Sequence, residues 1–251
     1  MKNLLFALLL IGTVQPVPAQ TRTAKPVYVI VHGAWGGSWA FREVDSILTA
    51  RGCNVYRPSL TGQGERVHLA SPEVGLGTHI KDVVNEILFE NLHNVVLVGH
   101  SYGGMVITGV ADSIPERVKQ LIYVDALLPR DGESLKTALG RTAEQLAKNA
   151  KDGFIIPAWV KPGQPLPKDV PQSLKTFTEP VHLKNKAADK IPATYILTVA
   201  KGTDPAADDF ASQAERARQR KWPVLQLEAD HNPQWSAVNA FSEMLFKIGN
   251  P

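Results

Sequence analysis

A pentapeptide of the form Gly-x-Ser-x-Gly occupies residues 99–103, directly after the apolar run Val95–Val98. This arrangement predicts a strand that turns sharply into a helix, with Ser101 at the tip of the turn. The flanking glycines leave room for a serine backbone in a sparsely populated conformation. Because a serine exposed in this way suits acyl transfer, we predict Ser101 as a catalytic nucleophile.

A serine hydroxyl needs a general base to act as a nucleophile near neutral pH. His231 lies late in the chain, just after the last predicted strand, and serine before histidine is the order expected for a nucleophile on such a turn. We therefore predict His231 as the base and expect His32 and His100, which flank glycine turns, to shape the site. The histidines expected to be solvated are His68, His79, His93 and His182.

Acyl transfer also needs donors for the negative oxygen of the tetrahedral intermediate, and backbone N–H groups supply them. One donor is expected from Tyr102, the residue after the nucleophile. The second is expected from Ala34, in the glycine-rich loop 32–37 that follows the first predicted strand. Gly33 in the same loop allows close approach of the backbone.

The elements that must position these residues alternate between strand and helix patterns, which predicts a mainly parallel sheet covered by helices on both faces. Ser38 is expected to cap a helix that runs to Ala50, Thr78 to cap the next, and Ser236–Ile248 to form a closing amphipathic helix. The predicted strands are residues 27–31, 54–57, 94–98, 118–124, 194–199 and 224–227.

An insertion of roughly residues 130–190 interrupts this alternation, between the strand that ends at Asp125 and the strand near Thr194. It is rich in proline and contains one helix-like stretch, Leu135–Lys148. A long irregular insertion on a regular sheet is usually functional. We expect it to cap the active site.

The N-terminus has the pattern of an export signal: Lys2, the apolar stretch Leu4–Val14 and small residues up to Ala19. The apolar stretch is too short to span a bilayer as a helix. We expect cleavage near Ala19, so that residues 1–19 are removed and residues 20–251 form one periplasmic or secreted domain without a stable membrane anchor. Cys53 is the only cysteine, so no internal disulfide is expected.

Composition excludes several classes of partner. The net charge of +3 over 251 residues is too small to imply nucleic acid, and no basic run with interleaved aromatic residues occurs. The sequence also has no metal-ligand spacing and no phosphate-binding loop, so we expect no metal and no cofactor. Nothing in the sequence indicates an oligomeric state.

Four segments together carry a family resemblance: the loop 31–35 with Trp39, the turn 99–105, the segment 123–129, and Asp230 with His231. The chain resembles serine esterases of the α/β-hydrolase superfamily, and most closely the bacterial esterases related to plant methylesterases and hydroxynitrile lyases. The resemblance implies an α/β-hydrolase fold with a cap, a triad of serine, histidine and an acid, and no cofactor.

The acid of the triad stays open at this stage. Relatives often carry an aspartate at the end of the penultimate strand, where this chain has Ala200 and Lys201. Asp204 lies slightly later in the same loop, whereas Asp125 ends the strand that follows the nucleophile helix, which supplies the acid in related haloalkane dehalogenases. Either carboxylate can orient the imidazole; we favour Asp125 and keep Asp204 as its rival. The remaining candidates are Asp208, Asp209 and Asp230.

Hydrolysis of small to medium hydrophobic carboxylic esters is the expected reaction. Cyanohydrin chemistry is disfavoured because Gly33 and Asn232 stand where hydroxynitrile lyases have threonine and lysine. Hydrolysis of a C–C bond, an amide or a lactone on the same triad is an alternative, as is an inactive homologue that binds a small ligand. The residues expected to line an apolar pocket are Gly33, Trp35, Trp39, Met105, Leu127, Leu128, Phe154 and Trp159.

Overall fold

The computed structural model describes residues 25–142, 144–145, 148 and 150–250; the predicted export signal lies outside them. The strands of these residues are β1 (Val27–Val31), β2 (Asn54–Tyr56), β3 (Val95–His100), β4 (Val118–Val124), β5 (Ala150–Lys151), β6 (Phe154–Ile155), β7 (Gln172–Ser173), β8 (Ala193–Val199) and β9 (Val224–Glu228). Six parallel strands form the central sheet, in the order β2-β1-β3-β4-β8-β9, and three short strands, β5-β6-β7, form a second sheet. The predicted parallel α/β architecture is confirmed.

Successive residues of each strand point to opposite faces of the central sheet. Because the side chains on both faces are apolar, helices cover both faces. Val29 and Val31 of β1 pack into the hydrophobic core of one face, and Tyr28 and Ile30 pack into the core of the other. Among the described residues, the α-helices whose bounds are defined are α1 (Arg42–Ala50), α2 (Leu76–Phe89), α3 (Gly103–Ser113), α4 (Leu135–Ala138), α5 (Lys175–Thr178), α6 (Ala211–Gln219), α7 (Pro233–Ser236) and α8 (Val238–Gly249).

Three predicted helix boundaries were wrong. The segment that starts at Ser38 is a short 3₁₀ helix, and α1 begins only at Arg42. Helix α2 begins two residues before Thr78, after the extended Gly75. The predicted closing helix is divided at Ala237, whose backbone (φ −145°, ψ 38°) separates α7 from α8.

The insertion, residues 130–190, lies between β4 and β8 and contains the small antiparallel sheet together with α4 and α5. Ser134 caps α4, because its Oγ accepts a hydrogen bond from the Thr137 N–H at 3.3 Å. The predicted helix Leu135–Lys148 is interrupted after Ala138, because Gly140 takes a left-handed conformation (φ 63°), and residues 144–145 are helical again. Among the described residues, no helix is both long and apolar enough to cross a bilayer.

The parallel register brings the carboxyl ends of the strands to the same edge of the central sheet. Val31 of β1 pairs with Gly99 of β3, and His100 pairs with Val124 of β4. On the far side, Val199 of β8 pairs with Glu228 of β9. The loops that leave the carboxyl ends of β1, β3, β4 and β9 therefore meet, which is where open α/β sheets bind their ligands.

Candidate active site

Ser101 occupies the predicted sharp turn between β3 and α3, with a left-handed backbone (φ 53°). Its N–H donates to the Val124 carbonyl at 3.1 Å, and its own carbonyl accepts the Leu127 N–H at 3.1 Å. A Cβ at Gly99 would lie 2.7 Å from the Gly103 carbonyl oxygen, so a larger residue there would displace the turn. The glycines thus provide the close packing that the strained serine requires.

His231 follows β9 and points its ring at Ser101. The distance from His231 Nε2 to Ser101 Oγ is 3.0 Å. Phe210 stacks on the imidazole at 4.8 Å between ring centroids, and His100 Nε2 donates to the His231 carbonyl oxygen at 2.7 Å. The histidine is therefore positioned through both its ring and its backbone.

Asp125 lies behind His231, at the end of β4. Its buried carboxylate accepts the His231 Nδ1–H at 2.6 Å and the Thr198 N–H at 3.3 Å. The aspartate backbone is left-handed (φ 43°), and the Tyr195 hydroxyl holds the following residue, because it accepts the Ala126 N–H and donates to the Ala126 carbonyl. With Nδ1 protonated, Nε2 is free to accept the serine proton.

The rival carboxylate, Asp204, is placed elsewhere. Its side chain is exposed and accepts the Ala206 N–H at 2.9 Å, which caps a short 3₁₀ turn. Of the two, only Asp125 contacts His231.

The two predicted oxyanion donors flank Ser101. Ala34 lines both cavities described below, and Tyr102 is the first residue after the serine. Among the described residues, neither backbone N–H has a backbone acceptor, so both are available to a ligand. An oxygen held between them meets two N–H dipoles, as a tetrahedral oxyanion requires.

Buried histidines surround the site. Burial lowers the pKa of His32 to about 4, and burial together with His231 lowers the pKa of His100 to about 3. Both rings are neutral at pH 7, which agrees with a shaping role. Burial likewise lowers the pKa of His79 to about 4.

The prediction that His79 is solvated was wrong. Its side chain is fully buried and its Nδ1 lies 2.9 Å from the Tyr102 hydroxyl. The sequence contained a signal for this burial, because Leu76, His79 and Val83 have the i, i+3, i+7 spacing of a buried helix face.

Two cavities meet at Ser101, with volumes of about 500 Å³ and about 310 Å³. Ala34, Trp35, Ser101 and His231 line both. The larger cavity is bordered by aromatic residues from three parts of the chain: Trp39, Phe41, Trp159 and Trp235. The smaller is bordered by apolar residues and by charged residues of both signs: Leu127, Leu135, Leu139, Phe177, Phe210, Asp208, Asp209 and Arg141.

Three predicted pocket residues do not line these cavities. Met105 and Leu128 are fully buried in the core, and the Leu128 N–H donates to Gln213. Phe154 lies in β6 and borders a different depression, next to Thr61 and Ser173. In contrast, Gly33, Trp35, Trp39 and Trp159 line the larger cavity and Leu127 lines the smaller.

Phe210, Phe177 and Trp235 were missed by the sequence analysis. Phe210 carried the clearest available signal, as an aromatic residue at the beginning of a helix between two predicted sheet strands. Near it, burial and the neighbouring carboxylates Asp125 and Asp209 raise the pKa of Asp208.

Among the described residues, no cluster of three or more His, Cys, Asp or Glu side chains is arranged to hold a metal.

Comparison with known proteins adds the family. The model of the alpha/beta hydrolase family matches residues 28–243, which include Ser101, Asp125 and His231. The chain belongs to this family. A carbendazim hydrolyzing esterase of Nocardioides sp. is 35% identical to this α/β-hydrolase over 242 residues, which is 88% of this chain and 99% of the relative.

A pyrethroid hydrolase of Sphingobium wenxiniae matches a shorter part of the chain: it is 33% identical over 111 residues, covering 43% of this chain and 39% of the relative. The solved structure of an extracellular alpha/beta-hydrolase from a Paenibacillus species superimposes with a TM-score of 0.73 at 21% identity, and covers 90% of this chain and 100% of that protein. This likeness supports the fold.

Proposed function

We propose that this carboxylic ester hydrolase cleaves small to medium, uncharged hydrophobic esters through an acyl-enzyme intermediate on Ser101. The observation that carries the proposal is the continuous hydrogen-bond chain from Ser101 Oγ to His231 (3.0 Å) and from His231 to Asp125 (2.6 Å). Nucleophile, base and orienting acid are then in contact, as nucleophilic catalysis requires.

Acylation begins when Ser101 Oγ bonds to the ester carbonyl carbon while its proton passes to His231 Nε2. The carbonyl π electrons move onto the oxygen, which the N–H groups of Ala34 and Tyr102 stabilise. Asp125 stabilises the imidazolium that forms. The C–O bond to the alcohol then breaks, and the leaving oxygen takes the proton from His231.

Deacylation repeats these steps with water. His231 removes a proton from the water as its oxygen attacks the acyl carbon, and the second tetrahedral intermediate uses the same two donors. Collapse breaks the bond to Ser101 Oγ, which regains its proton from His231, and the acid leaves.

The substrate class follows from the linings of the cavities. Aromatic side chains, including Trp39, Trp159 and Trp235, dominate the larger cavity, which suits an apolar or aryl group. The smaller cavity is bordered by Arg141 as well as by Asp208 and Asp209, so its charged groups have both signs, and its apolar residues suit an uncharged substituent. The esterase name of the Nocardioides relative supports ester cleavage.

Two further parts of the proposal concern the rest of the chain. Residues 130–190 act as a cap, since Trp159 and Phe177 from this segment border the cavities.

Residues 1–19 direct export and are removed near Ala19. Mass spectrometry of the protein recovered from a bacterial periplasm tests this: we expect a mature N-terminus near Gln20, and a retained Met1 would refute export by cleavage.

A fluorophosphonate probe tests the mechanism, because it modifies only an activated serine. We expect the wild-type protein to be labelled at Ser101 and to hydrolyse p-nitrophenyl esters, and we expect Ser101→Ala to do neither. An unlabelled, folded wild-type protein would refute the proposal. A series of acyl chain lengths, with neutral and carboxylated members, then tests the preference for uncharged groups.

A further inference from the structure

Trp35, the residue after the predicted oxyanion donor Ala34, has a left-handed backbone (φ 64°). This conformation is unusual for an aromatic residue and persists only where the surroundings hold it. The Trp35 N–H donates to Gln172 Oε1 at 2.7 Å, and the Trp35 carbonyl accepts the Val170 N–H at 2.9 Å. The indole N–H donates to the Ile155 carbonyl at 3.1 Å. All three partners belong to the insertion.

Of these three residues of the insertion, Gln172 contacts Trp35 through its side chain, and the hydrogen bonds of that side chain fix its orientation. The residue is fully buried. Its Nε2 donates to Thr176 Oγ1 at 2.8 Å, and the Thr176 hydroxyl donates to the Ser173 carbonyl at 2.7 Å. Because Nε2 must face Thr176, the carboxamide oxygen must face the Trp35 N–H. Replacement by an apolar side chain would leave that N–H without this acceptor.

The peptide group on the other side of Ala34 is held from the core of the domain. The Leu60 N–H donates to His32 Nε2 at 3.1 Å, so the proton of the neutral ring lies on Nδ1, which donates to the Gly33 carbonyl at 2.7 Å. That carbonyl belongs to the same peptide group as the Ala34 N–H. Ala34 is therefore held from both sides, its preceding peptide group by His32 and its following peptide group by Gln172.

We propose that Gln172 is a positioning residue: it holds the Ala34–Trp35 peptide, and thereby the Ala34 N–H, at the place where the oxyanion forms. The insertion then completes the catalytic machinery in addition to covering the cavities. This inference rests on the proposed function. It predicts an effect on the tetrahedral intermediate, which uses the donor fully, rather than on binding of the neutral ester.

Steady-state hydrolysis of p-nitrophenyl butyrate by Gln172→Met and Gln172→Glu tests this role. Methionine keeps the approximate size and removes the acceptor, and loss of a whole oxyanion donor costs about 10²–10³ in kcat. We expect Gln172→Met to lower kcat about 10- to 100-fold, with KM within about twofold of the wild type. Gln172→Glu retains an oxygen that can accept the Trp35 N–H, so it should keep more of the wild-type kcat than Gln172→Met does.

Gln213→Met is a matched control. Gln213 is also fully buried, accepts the Leu128 N–H at 3.0 Å and donates to the Ala138 carbonyl at 3.1 Å. Gln213 also joins two backbone groups through its carboxamide, but neither group belongs to the loop that contains Ala34. Gln213→Met should therefore lose stability while keeping kcat within about threefold of the wild type. Circular dichroism and urea unfolding show whether all three variants are folded.

A trifluoromethyl ketone provides a second readout, because its adduct with Ser101 carries a negative oxygen, whereas the matching methyl ketone binds without one. In Gln172→Met we expect the inhibition constant of the trifluoromethyl ketone to rise in proportion to the loss in kcat, and that of the methyl ketone to stay constant. Wild-type kcat in Gln172→Met, a change in KM alone, or an equal loss of kcat in Gln213→Met would overturn the positioning role. Absence of turnover in the wild type would instead overturn the proposed function, and this inference with it.

Discussion

At the scale of single residues, the chemistry depends on which carboxylate faces His231. Asp125 and Asp204 are both aspartates in loops that follow sheet strands, so residue type does not separate them. Asp125 accepts the His231 Nδ1–H at 2.6 Å, whereas Asp204 is exposed and caps its own turn. Asp125 directly follows β4, which pairs with the strand that leads to Ser101, whereas Asp204 lies five residues beyond the end of β8.

Substitution of each carboxylate by its amide tests the assignment. We expect Asp125→Asn to lower kcat by about 10⁴, because an amide donates to Nδ1 and favours the wrong imidazole tautomer. Asp204→Asn keeps the oxygen that caps Ala206 and should retain nearly full activity. Turnover of p-nitrophenyl butyrate measures both. Near-normal turnover in Asp125→Asn would contradict the role of Asp125.

At the scale of elements, the turn between β3 and α3 requires small residues because other backbone segments pass beside it. A Cβ added at Gly104 would lie 2.1 Å from the Leu127 carbonyl oxygen, and one at Gly103 would lie 2.5 Å from the Val31 carbonyl oxygen. Gly103 and Gly104 therefore allow α3 to approach the end of β1 and the loop after β4.

Gly104→Ala measures this crowding. We expect the free energy of unfolding to fall by about 1–3 kcal/mol, as in other overpacked cores, with a lower rate of ester hydrolysis because Ser101 shifts with the turn. Gly36→Ala is the control, because a Cβ there meets its nearest atom at an ordinary 3.7 Å. Equal urea midpoints for the two variants would show that a Cβ at position 104 fits without displacing the turn.

The insertion offers a second test at this scale. Trp159 packs edge-on against Trp35 at 5.0 Å and borders the larger cavity. We expect Trp159→Ala to raise KM for aryl esters roughly 3- to 10-fold, since an aromatic contact contributes about 0.5–1.5 kcal/mol. Leu166→Ala, an exposed position of the same insertion, should leave KM unchanged. An unaltered KM in Trp159→Ala would place the aryl group elsewhere.

At the scale of the whole molecule, buried neutral histidines make stability depend on pH. His32, His79 and His100 have pKa values lowered to about 4, 4 and 3, chiefly by burial. In the unfolded chain each takes up a proton near pH 6.5. The unfolded state therefore binds more protons as the pH falls below about 6.5, so stability is highest above that value and is lost towards acid pH.

Urea unfolding at pH 7 and pH 5 checks this expectation. Each of these histidines should contribute a loss of about 2 kcal/mol between the two values. His79→Gln should reduce the total loss by about that amount. A pH dependence that is the same in His79→Gln and the wild type would contradict the buried, neutral state of His79.

Local patterns in the chain were enough to predict the parallel sheet, the family and the place of Ser101 on its turn. The sheet and the turn depend on residues close together in sequence, because β-branched runs make strands and glycines permit the tight turn. The family was indicated by four short segments taken together. Export by residues 1–19 stays a prediction, because these residues lie outside the described structure.

Contacts between distant segments were decided only by the tertiary structure. Asp125 and Asp204 differ in where the sheet places them. Three predicted pocket residues lie outside the linings of the two cavities: Met105, Leu128 and Phe154. Gln172 meets Trp35 across 137 positions of the chain. No local propensity encodes such a pairing, since its energy comes from burial and hydrogen bonds that exist only after the insertion has folded onto the sheet.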